Sequence, residues 1–335
     1  MGLIRVPYET LLTEIPRALA RNGLSESRAE AIGRVLAEST RDGVNSHGLN
    51  RVRQIVRQIR DGMIDPEAGP SVVGSFGAWE QWDGNRGPGI LNALTATDRA
   101  MELAGEHGIG SVAMRRTTHW QRGGTYGWRA AEAGFGLIAW TNTIPNTLPY
   151  GSFDSRVGNN PLVMAVPRKA GPVVLDIAMS QFSFGRLSTH RRRGEPLPVP
   201  GGYDESGQPT CDAAAVLDTR RALAMGYWKG AGLGIVLDLL GAVMSKGLTA
   251  PEIEAQEGLY DVSQVFIAVD VSRAGPAEQL ERTVNEYIEF LHSARPAWDG
   301  AEVLYPGERS MRSRENSLTD GVPVDEAVWD DVRTL

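Results

Sequence analysis

The chain has 335 residues, 41% of them hydrophobic and 22% charged, with a net charge of -7. That balance suits an ordinary folded protein of two or three domains and excludes a disordered polymer. The acidic surplus argues against a nucleic-acid surface, and the one basic cluster, Arg191-Arg192-Arg193, is too short to reverse it.

The first seventy residues predict helices. Ser27 and Glu30 have capping-box spacing, ahead of a stripe of Ile32, Val35, Leu36 and Ser39 that Gly43 ends. Leu49, Val52, Val56 and Ile59 mark the next helix, which stops at Asp61-Gly62. The N-terminal stretch has no signal-peptide pattern, and no run approaches the ~20 apolar residues needed to cross a bilayer, so a membrane partner is not expected. Beyond residue 70, "GPGILNALTATDRAMELAGEHG" predicts a helix of small and apolar residues. Strands follow at 111–116, 136–142, 161–167, 173–178 and 263–271. They are nearly continuous apolar runs, which implies a sheet covered on both faces. Helices at "YGWRAAEAG" and "GAGLGIVLDLLGAVMSKG" complete an α/β core. Residues 187–224, rich in Pro, Gly and charge, read as a functional loop or an arm onto a partner. The single cysteine, Cys211, excludes an internal disulfide and suits a reducing, cytoplasmic setting.

The generic search for a dinucleotide motif finds only "GIGSVA", Gly108 to Ala113, which follows a helix and leads into a strand. That is the reverse of the G-x-G-x-x-G context, so it reads as a tight turn. Histidines say more. His47, in "SHGLNR", lies at an expected helix start with Arg51 one turn on. The helix terminus would lower its pKa and poise a proton donor beside a guanidinium able to grip a carboxylate. The alternative is a capping histidine with a surface arginine. His119, in "HWQRGGTYGW", precedes two glycines and a helix start that could take an anion; the alternative is packing on Trp120 or Trp128. Thr141 and Asn142 end a buried strand, where α/β sheets bind ligands. Asp176 ends another, either to cap a helix or to meet a ribose. Trp228 and Lys229 precede a glycine-rich helix start, as an aromatic plane and a cation for a phosphate or as ordinary core.

Seven segments, "SHGLNR", "HWQRGGTYGW", "WTN", "NPLVMAVP", "MGYWKG", "VSQVFIAVDV" and "YPGER", occur in an order that resembles the malate/L-lactate dehydrogenase family lacking a Rossmann fold, and within it the 2,3-diketo-L-gulonate reductase branch. The resemblance implies a non-Rossmann NAD-binding sheet with flanking helices and an N-terminal helical region. It implies His47 as proton donor, Arg51 on the acidic end of the substrate, and Ser46, His119 and Asn142 as substrate contacts. Pro172, Val173, Val174, Leu175, Asp176, Ile177 and Ala178 would line the cofactor, together with His119, Trp228, Lys229, Gly307, Glu308 and Arg309. It further implies a homodimer. The organisation expected is a helical region over 1–69, an α/β core over 70–290 and a C-terminal segment over 291–335 packing back on the first.

The reaction expected is NADH-dependent reduction of a 2-keto sugar acid, 2,3-diketo-L-gulonate to 3-dehydro-L-gulonate, with no metal. Asp176 near a ribose would disfavour the 2′-phosphate of NADP. Malate-, lactate- or ureidoglycolate-type dehydrogenation and cyclic imino-acid reduction are the neighbouring readings. A metal-dependent hydrolase or lyase, and a sensor of sugar acids or nucleotides, are the readings from other classes.

Overall fold

The computed structural model describes residues 2–256 and 261–335. The chain opens with β1 (Leu3–Val6), α1 (Tyr8–Arg21) and α2 (Glu26–Arg41), then two 3-10 turns, Asn45–His47 and Leu49–Arg51, and α3 (Val52–Arg60). Ser25 occupies the N-cap of α2 with no side-chain bond, so Ser27 lies already inside the helix and the expected capping box does not form.

The central part alternates strands with two long-range helices: β2 (Ser71–Ser75), β3 (Trp79–Asp83), α4 (Gly89–His107), β4 (Ile109–Thr117), α5 (Gly124–Glu132) and β5 (Phe135–Thr141). The short β6 (Pro145–Thr147) and β7 (Val157–Gly158) lead to β8 (Leu162–Val166) and β9 (Val173–Ile177). A lobe of α6 (Phe184–Arg193), β10 (Gly202–Tyr203), β11 (Pro209–Thr210) and α7 (Ala213–Thr219) precedes α8 (Trp228–Ser245), α9 (Ala250–Glu254) and β12 (Val262–Asp270). The chain ends with α10 (Ala277–His292), α11 (Glu308–Asp320), β13 (Val322–Asp325) and α12 (Glu326–Thr334).

Seven strands make one mixed sheet in the order β2-β3-β4-β12-β5-β8-β9. The pair β3–β4, joined by α4, is parallel and the other pairs are antiparallel. Side chains alternate between faces as strand geometry requires. Val112, Met114, Leu137, Ala139, Phe266 and Ala268 form one core with α4 and α5. Ala113, Trp140 and Val265 face the other way, onto Leu237 of α8. Each large apolar side chain buried this way stabilises by about 1.5–3 kcal/mol. Coverage of the second face fails at the β8–β9 edge, where Met164 and Val166 are exposed because α8 reaches only the sheet centre.

Helix α8 corrects a second expectation. Its 18 residues are apolar enough, by length and composition, to span a membrane. In the fold Gly234, Leu237 and Gly241 lie buried in it, while Val236, Leu239 and Val243 on its outer side are bare. A further core joins the two ends of the chain: β1 pairs antiparallel with β13, and Leu11, Ile15, Leu36 and Val56 pack with Val322, Val324 and Trp329.

The segment 187–224 is neither an open loop nor an arm extending from this chain. Phe182, Leu187, Leu197 and Val216 give it a small core of its own, and Ala222 and Ala224 bridge it to Thr147 and Ser180. A capping box does form at α9, between Thr249 and Glu252.

Candidate active site

A cleft of about 430 Å³ opens between the helical region, the turn after β4, the end of β9 and the lobe. The 3-10 turn carrying His47 contributes one wall. Gly48 lies flat against α2, where a Cβ would run into Thr40, and the next amide, Leu49 N–H, donates to Thr40 Oγ1 at 2.8 Å. Glycine at 48 therefore presses the turn onto α2 and leaves His47 facing the cleft. Ser46 Oγ lies 3.1 Å from His47 Nδ1, and Arg51 donates to the Ser46 carbonyl at 2.7 Å and to Gln54 at 2.6 Å. His47 is not at the start of α3, which begins at Val52, so the helix terminus does not tune it. Burial comes first and the charges of Arg51 and Arg122 follow; together they pull its pKa from 6.5 to about 4. The free protein therefore holds His47 neutral at pH 7.

The turn from β4 into α5 forms the opposite wall. Trp120 points inward, against Tyr126 and Phe266, and the Trp128 ring carries Arg314 at 4.6 Å. Neither takes His119, which instead stacks on His47 with ring centres 5.8 Å apart and planes at 21°. The His119 ring is open to cleft water while protein encloses the cleft around it. That enclosure, then the charges of His47 and Arg51, hold its pKa well below the usual histidine value. The Gln121 N–H donates to His119 Nδ1 at 2.8 Å, so the neutral ring carries its proton on Nε2. Gln121 achieves this at φ +64°, a left-handed conformation that costs a non-glycine residue about 1–2 kcal/mol.

Two glycines then start α5. A Cβ on Gly123 would meet Val163 at 2.7 Å, and one on Gly124 would meet Asp176 Oδ2 at 3.0 Å. The expected anion site at this helix start is filled by the protein itself: Asp176 accepts the Gly124 N–H at 2.8 Å. Of the two roles open to Asp176, capping is the one seen, on a helix that precedes it in the chain. Its carboxyl pKa is raised by burial, against the Gly124 bond and the Arg122 charge.

Arg122, only 5% exposed, lines the cleft between the two histidines and Asp176 and is absent from the sequence-based site. Its Nη1 donates to Asp42 Oδ2 at 2.7 Å. Asp42 also accepts from Arg41 at 2.8 Å and from Arg314 at 3.0 and 2.9 Å, so α2, the β4–α5 turn and α11 meet on one carboxylate. Burial alone would raise its pKa; the Arg314 bonds, the Arg122 charge and Arg41 outweigh it and bring it down to about 2. No local pattern signals Asp42, because its partners are spread from 41 to 314. Arg122 does carry a signal, a cation beside two glycines at a strand-to-helix turn. The lobe closes the cleft with Ser183, Phe184 and Gly185, and a Cβ on Gly185 would stand 2.8 Å from Ser46 Cβ.

The remaining expected residues divide. Ser46, His47, Arg51, His119, Asp176, Ile177 and Ala178 share the cleft. Asn142 does not: it is fully buried, donates to Asp238 at 2.8 Å and to Leu248 O at 2.7 Å, and accepts from Ser263 N at 2.7 Å. With its amide engaged in holding β5, β12 and α8 together, it has nothing left for a substrate. Pro172 to Leu175 run away from the cleft along β9, and Gly307 lies against that strand, where Val174 N donates to Pro306 O at 2.8 Å. Gly307 has φ +100°, and a Cβ there would stand 3.2 Å from Val174 N. The Glu308 carboxylate is taken up by Tyr305 N–H, His292 and Arg312, so only its backbone is available. Arg309 is exposed in the first turn of α11, whose N-terminus has no side-chain cap. Trp228 and Lys229 do not line the cleft; Trp228 is 64% exposed at the start of α8.

A nicotinamide cofactor fits these residues. Beside the cleft, the edge of β9 and a glycine held close to it lead to a helix start with no side-chain cap and an exposed guanidinium, the donor chemistry that a phosphate needs. Among the described residues no three His, Cys, Asp or Glu side chains converge as metal ligands.

An enclosed cleft pairing histidines with guanidiniums is the site of an enzyme acting on small acids. Residues 6–333 match the malate/L-lactate dehydrogenase family, and the chain belongs to that family. It is 40% identical over 334 residues to 2,3-diketo-L-gulonate reductase from Klebsiella pneumoniae, and 39% identical to the enzyme of the same name from Citrobacter koseri. Each alignment covers 99% of this chain and 100% of the relative. Among solved structures, malate dehydrogenase from Pyrococcus horikoshii superposes with a TM-score of 0.89 at 26% identity, over 98% of this chain and 93% of that one. The chain is an oxidoreductase of hydroxy or keto acids, from a family that uses nicotinamide cofactors.

Proposed function

We propose that the chain is an NADH-dependent reductase of a 2-keto sugar acid, with 2,3-diketo-L-gulonate as substrate and 3-dehydro-L-gulonate as product. The observation that carries this reading is the meeting of His47, Arg51 and His119 in one cleft of a chain 39–40% identical, end to end, to diketogulonate reductases. The cofactor, when bound, supplies the hydride. Arg51 grips the substrate carboxylate, and His119, a donor through Nε2, orients the carbonyl. His47 gives a proton to the oxygen that the reduction leaves as alkoxide, an assistance typically worth ~10²–10⁴ in rate. A neutral His47 must first gain that proton. The bound carboxylate offsets the Arg51 charge and favours the imidazolium, so substrate binding arms the acid.

The Asp176 carboxylate, which accepts the Gly124 N–H in the cleft wall, would disfavour a 2′-phosphate if a ribose bound there. The preference for NADH also rests on the likeness to the diketogulonate reductases. The bare outer side of α8 and exposed Met164 and Val166 support a homodimer, since exposed apolar side chains of this kind are what a partner surface would cover. The unpaired Cys211 supports a reducing, cytoplasmic location.

The test is NADH oxidation, followed by absorbance, with diketogulonate, oxaloacetate, pyruvate and a cyclic imino acid side by side, then with NADPH. Fastest turnover of diketogulonate with NADH is expected. A faster rate with another acid moves the substrate, and no turnover with either cofactor overturns the reading.

A further inference from the structure

The turn between β4 and α5 presents two polar side chains whose hydrogen-bonding capacity the protein itself leaves unused. Gln121 is 5% exposed and lines the cleft, yet its side-chain amide makes no hydrogen bond among the described residues, and its Oε1 is shielded from solvent. A buried amide without a partner is destabilising. The backbone adds to that penalty, because Gln121 sits at φ +64°, where glycine would be the unstrained choice. The N–H that orients His119 belongs to the backbone, so a glycine would perform that task equally well. Something other than His119 therefore accounts for a glutamine here, and strain retained at a cleft wall points to ligand contact.

Arg122 is its neighbour. One nitrogen, Nη1, is anchored on Asp42, and Nε and Nη2 make no hydrogen bond among the described residues, with the Asp176 carboxylate near them as a charge partner only. Asp42 is shared with Arg41 and Arg314, so it fixes the guanidinium without neutralising the cleft. Arg51 already provides the cation for a carboxylate, held on the opposite wall by Ser46 O and Gln54. A simple keto acid such as pyruvate has one carboxylate and one carbonyl, which Arg51 and the two histidines satisfy. Two further donor groups, the amide NH2 of Gln121 and the guanidinium of Arg122, match a chain of hydroxyl and carbonyl oxygens.

We propose that Gln121 and Arg122 form a specificity subsite that binds the hydroxylated tail of a polyhydroxy 2-keto acid, the amide taking a hydroxyl and the guanidinium a tail oxygen. The inference rests on the keto-acid reading of the cleft and narrows its substrate class. The two residues are selective because a short acid leaves them unpaired, and sites built to hydrogen-bond a group reject analogues that lack it.

The experiment compares kcat/KM for 2,3-diketo-L-gulonate with kcat/KM for pyruvate in the wild type, Gln121→Gly and Arg122→Ala. Glycine suits the backbone at 121, so that variant folds even if loss of the Asp42 partner weakens the other. The ratio is expected to fall about fivefold in Gln121→Gly and tenfold to a hundredfold in Arg122→Ala, mainly through KM. A ratio within twofold of wild type in one variant removes that residue from the subsite, and in both overturns the proposal. Should the wild type reduce neither acid, the enzymatic reading fails separately, and calorimetric binding of L-gulonate against L-lactate decides the subsite. Tighter binding of L-gulonate, lost in Gln121→Gly, upholds it; equal affinity in the wild type overturns it.

Discussion

Replacing Asp42 by Asn is expected to destabilise the fold by about 3–5 kcal/mol at pH 7, the range for breaking a buried ionic cluster by removing one partner. Asp42 is 2% exposed and accepts four hydrogen bonds from three guanidiniums. Part of the magnitude can be worked from its titration. Moving the carboxyl from 3.8 to about 2 represents about 2.4 kcal/mol of preference for the charged form, at 1.36 kcal/mol per pKa unit. The remainder comes from Arg122, which is too buried to be resolvated when its acceptor is lost. The sign follows from the direction. A carboxyl whose folded pKa is depressed stabilises fully above its unfolded value and loses that share as pH falls through 3.8 toward 2. The gap between wild type and Asp42→Asn should therefore be about 1 kcal/mol smaller at pH 3 than at pH 7. Urea unfolding at both pH values, with equal m-values required for the comparison, measures it. A loss below about 1 kcal/mol at pH 7, or a gap that does not narrow in acid, would refute the assignment of Asp42 as the ionic hub.

His47, held at about 4 in the free enzyme by burial, Arg51 and Arg122, should take up a proton when a carboxylate substrate binds near pH 6. Binding enthalpies in two buffers of different ionisation heat should then differ for the wild type and not for His47→Ala; identical wild-type values would sink the arming step. Asn142→Ala should lower stability by about 2 kcal/mol, read by thermal unfolding, because it strands the buried Ser263 N–H and takes a donor from the half-buried Leu248 O and Asp238. Val243→Glu, at a position 73% exposed on the bare side of α8, should shift the protein from dimer to monomer in light scattering while its far-ultraviolet circular dichroism stays constant. An unchanged mass would refute the outer side of α8 as a dimer contact.

Local signals made the seven segments legible, and local signals also set the limit. The continuous apolar runs anticipated β4, β5 and β12 because alternate residues of each meet different helices, α4 or α5 on one side and α8 on the other, while β8 and β9 bury one face against α5. The same rule could not anticipate the bare β8–β9 edge, since that depends on how far α8 extends. β1 is only four residues long and pairs with β13 at the opposite end of the chain, so nothing near it marks it as a strand. The sequence places His47 among the candidate site residues, and the structure puts it in the cleft, but the reason for its low pKa is not legible in the sequence. A helix start was inferred from "SHGLNR", whereas Gly48 breaks the backbone after a 3-10 turn and leaves burial and two arginines as the cause. One of those arginines, Arg122, lies within "HWQRGGTYGW", where the two glycines after it are its only local mark. Its importance depends on Asp42, eighty residues away in the chain, which holds its guanidinium in the cleft wall. A motif identifies the segment that reaches a site; which of its side chains remain unpaired there is decided by partners from the rest of the chain.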